Sequence, residues 1–161
     1  KLKNQIVPHI IKISTEKYNG LRIMYKDAIY YHLSQFLKKN PQQEGEYVLR
    51  IKDGIDGSGS HSIYNQKNSG GKDFENTSKN ILSYMFVPLQ LTNLSTSKVV
   101  WQEDKMNSSE VCRPLLLINA KETREVLKEI IPAVQKEANE LKIMGLEMIT
   151  AEGAHIKIYC D

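Results

Sequence analysis

The sequence predicts a mixed α/β fold, and three observations carry that expectation. Apolar residues recur at helical spacing over residues 21–40 and again over 119–141. Tyr47, Leu49 and Ile51 alternate with Val48, Arg50 and Lys52, the period-two pattern of a half-buried strand. A second alternating run, 155–160, comes after the second helical pattern, so a strand returns to the sheet.

Composition sets the outer bounds. The chain has 161 residues, which suits one domain with a real hydrophobic core. A 40% apolar and 25% charged composition excludes a wholly disordered chain. No apolar run approaches the roughly 20 residues that span a bilayer. The net charge of +3 (22 − 19) does not by itself mark a nucleic-acid binder. Cys112 and Cys160 make no CxxC pair and no zinc spacing, and read as reduced intracellular thiols. There is no initiator Met, and the sequence stops at the end of its last strand pattern. It therefore reads as part of something longer.

Taken in order, residues 1–46 are expected to be a helical lead-in. Its firm part is a helix over 21–40 with Leu21, Met24, Tyr25, Ala28, Ile29, Leu33, Phe36 and Leu37 on one face. Asn40-Pro41 ends it, because proline disfavours helix in the residue before it. The strand over 47–52 should break at Gly54 and at the run Gly57-Ser58-Gly59-Ser60. A polar, glycine-dotted loop then extends to Asn80. Strands over 81–91 and 98–102 form a hairpin, and Pro88 predicts an edge position or a bulge. A short strand follows over 114–118. In the second helix Asn119 and Glu122 fit a capping arrangement, and Pro132 predicts a kink or a break. Gly145 leads back to the final strand.

Three antiparallel strands, a helical crossover and a returning parallel strand make the first half of a ribonuclease H-like domain, here residues 47–161. A right-handed crossover would set the last strand beside the first. Their terminal carboxylates would then approach one another, which draws attention to Asp56 and Asp161.

Two divalent ions about 4 Å apart can stabilise the attacking and leaving oxygens of a phosphoryl displacement. Magnesium asks for hard oxygen ligands. Asp53 and Asp56 both qualify and spacing does not choose between them; ordinary Asp-Gly turns are the bland alternative. The run Asp56-Gly57-Ser58-Gly59-Ser60 also suits a phosphate-contacting turn, as in actin-like ATPases. Glu122 doubles as a helix cap, worth about 1 kcal/mol. His61, Lys67, Lys72 and Lys79 could contact phosphates, or could simply be solvated loop residues.

Longer strings add a resemblance. Residues 51–62 (IKDGIDGSGSHS) with 64–67 (YNQK) resemble the segment around the first catalytic aspartate of Transib transposases and of the catalytic subunit of the V(D)J recombinase (the RAG family). Residues 107–117 (NSSEVCRPLLL), running into 120–123 (AKET) and a helix reaching Ile131-Pro132, resemble a second segment of that family. The resemblance spans most of 47–135. It implies a DDE-type DNA endonuclease and strand transferase using two Mg2+ or Mn2+ ions. Asp56 would be the first catalytic aspartate, Glu122 an acidic residue at the active site, and Asp161, or a residue past it, the second aspartate. Asp56 and Asp161 would hold metal, while Ser60, His61, Lys67 and Lys72 would face nucleic acid. The implied partners are double-stranded DNA with terminal inverted repeats or recombination signals, a second copy of the protein and an accessory recombinase subunit, in the nucleus. A final glutamate and the family's zinc ligands have no counterpart here. The alternative is a catalytically inactive ribonuclease H-like module that binds DNA or protein.

Overall fold

Eight strands and two α-helices make up the residues described by the computed structural model, 8–41, 43–58, 80–150 and 152–161. The first two elements correct the expected helical lead-in. β1 (Ile10–Ser14) and β2 (Asn19–Ile23) form an antiparallel hairpin, so Leu21 and Ile23 lie in a strand rather than at a helix start. Thr15 closes the turn by accepting from the Tyr18 N–H at 3.1 Å and donating to the Tyr18 carbonyl at 3.0 Å. Gly20 disfavours helix and favours this pairing for one reason, its lack of a side chain. A Cβ there would lie 2.2 Å from the Leu117 carbonyl oxygen on the neighbouring strand.

α1 (Tyr25–Lys39) follows with Tyr25, Ala28, Ile29, Leu33 and Leu37 buried. Met24 provides no side-chain cap. Instead the Glu137 carboxylate accepts from the Tyr25 N–H at 2.7 Å and pairs with Arg22, placing negative charge at the positive end of the helix. Asn40 ends α1, its side chain donating to the Phe36 carbonyl at 3.0 Å.

β3 (Gly45–Ser58) runs straight through Gly54, where a break was expected, because β4 (Ile81–Asn93) pairs with it from Tyr47↔Asn93 to Ser58↔Ile81. β4 also pairs with β5 (Val99–Gln102) and with β6 (Arg113–Asn119), so Pro88 sits on a central strand. The bulge half of the expectation holds: the register shifts between Arg50 and Ile51, leaving Leu89 as the extra residue. On the other edge of β4, β6 pairing stops at Phe86 and β5 pairing begins at Gln90. Pro88, which has no N–H to offer, falls between them.

α2 (Arg124–Met144) begins later than the sequence suggested and is capped by Thr123, whose hydroxyl accepts from the Val126 N–H at 3.3 Å. Asn119 instead ends β6, and Glu122 stands outside the helix and does not cap it. Pro132 lies inside one continuous helix, so the expected break is absent. β7 (Leu146–Ile149), which pattern reading missed, pairs antiparallel with β8 (His155–Cys160). β8 runs parallel to β3, from Gly45↔Ile156 to Leu49↔Cys160. The sheet order is β1-β2-β6-β4-β3-β8-β7, with β5 on β4.

Both helices cover the same face of the sheet. Tyr25, Ile29 and Leu33 of α1 and Ile130, Val134 and Leu141 of α2 share one core with Leu49, Leu82, Phe86, Ile118 and Ile158. Residues of opposite parity, among them Arg50, Lys52 and Asp56 on β3, are exposed on the other face. No helix among the described residues is long and apolar enough to cross a membrane.

Candidate active site at the end of β3

Alternation along β3 gives its two aspartates different surroundings. Asp53 pairs with Phe86 on the helix-covered face, where both carboxylate oxygens accept tyrosine hydroxyls. Tyr25 donates at 2.6 Å and Tyr84 at 3.2 Å. Burial first, and the Asp53 carboxylate second, push both phenols up, Tyr84 to about 12. The same two causes raise the buried Cys160 thiol to about 12. These groups stay protonated near neutral pH, and the hydroxyls act as donors that tie α1 and β4 to β3. This is a structural use of Asp53. The sequence held one signal for it, the shared parity with Tyr47, Leu49 and Ile51.

Asp56 lies on the opposite face; both aspartates are exposed, and what differs is the face and the partners. The registers set it in a row across four strands with Ser83, Leu117 and Leu21. Ser83 donates to its carbonyl at 3.1 Å. Beyond Ile51, whose N–H donates to the Asp161 carbonyl at 2.8 Å, no described strand pairs with β3 on the side of β8. The edge of β3 beside Asp56 is therefore open among the described residues.

Glu122 approaches the neighbouring residue of β3 from the segment between β6 and α2, on the helix-covered face to which Gly57 belongs by alternation. Its carboxylate lies against Gly57: a Cβ built there would be 2.5 Å from Oε2 and 3.0 Å from the Glu122 Cβ. A groove of about 490 Å³ runs on from Glu122 past Arg124, Leu127, Lys128 and Ile131.

Asp161 is elsewhere. Parallel pairing sets it beside Arg50, six residues short of Asp56, or about 20 Å at roughly 3.3 Å per residue. Its carboxylate accepts from Lys142 at 2.6 Å, and that contact, supported by Arg50, holds it below the usual carboxylate range. The structure thus brings Gly57 and Glu122 together, with Asp56 the preceding residue of β3 but facing the other side of the sheet, and leaves Asp161 apart. Ser60, His61, Lys67, Lys72 and Lys79 lie outside the described residues.

Among the described residues no three His, Cys, Asp or Glu side chains gather closely enough to hold a metal ion. Asp56 and Glu122 offer hard oxygen donors near the end of β3, from opposite faces of the strand. Such donors suit magnesium, which takes one or two carboxylates and keeps several waters. The donor types fit that ion; Asp161, where it stands, does not add to them.

A mixed sheet with two helices on one face and carboxylates at the end of its long strand defines an α/β domain compatible with the ribonuclease H-like architecture. Residues 48–157 match the family model described as the Recombination-activation protein 1 (RAG1) RNase H domain. The chain belongs to that family, as the strings at 51–67 and 107–123 suggested. It is thereby related to recombinases and transposases. None of the curated proteins matches it.

Proposed function

We propose that this domain serves a DNA recombinase or transposase that nicks DNA at terminal repeats or recombination signals and joins strands by metal-dependent phosphoryl transfer. One observation carries the reading: within the matched region, the Glu122 carboxylate lies against Gly57, next to Asp56. Asp56 and Glu122 are the residues proposed to hold Mg2+ or Mn2+. A bound ion would supply Lewis-acid stabilisation of charge at the reacting phosphate. Arg124 and Lys128, in the groove leading away from Glu122, are suited to backbone phosphates. Asp161 joins as second aspartate only if the end of β8 rearranges and gives up its Lys142 ion pair. Double-stranded DNA, a second copy and an accessory subunit in the nucleus complete the proposal.

A second reading has its own support. The described carboxylates do not converge in threes, as a non-catalytic DNA- or protein-binding module would allow. A nicking assay on the protein that carries this domain, with Mg2+ or Mn2+, separates the two. Asp56→Ala is expected to abolish nicking and leave DNA binding nearly unchanged. Glu122→Gln should be milder, since an amide still fits against Gly57 and keeps one oxygen donor. Cleavage at the wild-type level by Asp56→Ala would remove Asp56 from the site. No nicking by the wild type with either ion would favour the non-catalytic module.

A further inference from the structure

Gly57 is paired within β3, one residue from its end, where glycine is a poor choice: it adds no packing and has the most backbone freedom to lose. Its φ is not among the left-handed ones of the described glycines, so backbone conformation does not call for it. What does call for it is space. A Cβ at Gly57 would meet the Glu122 Oε2 at 2.5 Å and the Glu122 Cβ at 3.0 Å. The first contact could be relieved by swinging the carboxylate away. The second involves an atom fixed to the backbone, so the segment before α2 would have to give as well. Gly54, on the same strand, has only the Met85 Cγ within reach, at 4.0 Å, so the tight fit is particular to Gly57.

We infer that Gly57 is the positioning residue for Glu122: its bare backbone is the seat that holds the Glu122 carboxylate at the end of β3. This rests on the proposed role of Glu122 in DNA cleavage. The seat explains why Glu122 needs neither a cap role nor an ion-pair partner to sit there. It also connects two stretches of sequence 65 residues apart, because Gly57 directly follows Asp56.

The seat can be tested without metal or DNA. Melting midpoints of this chain are compared for wild type, Gly57→Ala, Glu122→Gly and the double variant. Gly57→Ala should lower the midpoint by about 3 °C when Glu122 is present, and by much less beside Glu122→Gly. Equal shifts in both backgrounds would overturn the inference. The positioning role is read from nicking by the protein that carries the domain. Gly57→Ala should lose at least tenfold, and adding Glu122→Asp should recover part of that loss, because the shorter side chain relieves the closer contact, at Oε2, and leaves only the one at Cβ. Wild-type nicking by Gly57→Ala, or no recovery in the double variant, would overturn it. Asp56→Ala in the same assay tells the two failures apart. Retained cleavage there sinks the functional reading, whereas lost cleavage there with an active Gly57→Ala sinks only the seat.

Discussion

Asp53 and Asp56 are three residues apart on one strand and serve different ends. Asp53 faces the helices and satisfies two part-buried hydroxyls, one on a residue, Tyr25, with no exposed surface. Removing the acceptor would take away the partner of both part-buried hydroxyls, at about 1–3 kcal/mol. Asp53→Ala should therefore lower the free energy of unfolding in urea by that amount, and Tyr25→Phe by about 1 kcal/mol. Asp56→Ala, which touches no such network, should stay within about 0.5 kcal/mol of wild type. A large loss from Asp56→Ala would mean that Asp56 has a structural role. The parity that separates the two aspartates was legible in the alternation of 47–52. Their partners were not, because Tyr25 and Tyr84 are brought to Asp53 by tertiary packing alone.

At the scale of elements, the start of α2 decides how Glu122 can be used. Thr123 caps the helix, so Thr123→Ala should cost about 1 kcal/mol, and Glu122→Gln almost nothing. Thermal or urea unfolding of both variants checks this; the reverse ranking would return the cap to Glu122. The expectation that Asn119 and Glu122 form the cap used the correct residue types at a plausible spacing. It failed because β6 holds its pairing through Asn119, to both β2 and β4, and keeps that residue extended. The same physics hid the β1–β2 hairpin. Leu21 continues the apolar spacing of α1, but the edge of β6, almost 100 residues downstream, draws it into the sheet. Strand pairing over such distances leaves no local trace.

At the scale of the whole molecule, one-sided packing has a measurable consequence. His32 of α1 lies edge-on to Trp101 of β5, with ring centroids 5.5 Å apart. Burial, helped by the charge of Arg113 and opposed by Glu103, pushes its imidazole down to about 4. In the unfolded chain the group titrates near 6.5. Between those values the unfolded state binds more protons than the folded one, so stability falls as pH drops from about 6.5 towards 4. That one group should remove on the order of 2–3 kcal/mol between pH 7 and pH 4. Urea unfolding of wild type and His32→Gln at both pH values reads it as the difference between their pH dependences. A variant as pH-sensitive as wild type would show that His32 does not titrate this way.

The sequence by itself determined the kind of protein. Periodicity placed both helices and most of the strands, because amphipathic spacing is a local property that burial of one face enforces. Two strings around Asp56 and Glu122 pointed to the recombinase family, and the match over 48–157 bears that out. Only the tertiary structure decided where each acid stands. The register of β8 against β3 sets Asp161 beside Arg50 instead of Asp56, and the absence of a side chain on Gly57 admits Glu122. Both outcomes depend on strand offset and interatomic clearance, which arise when distant segments pack and have no expression in residue spacing.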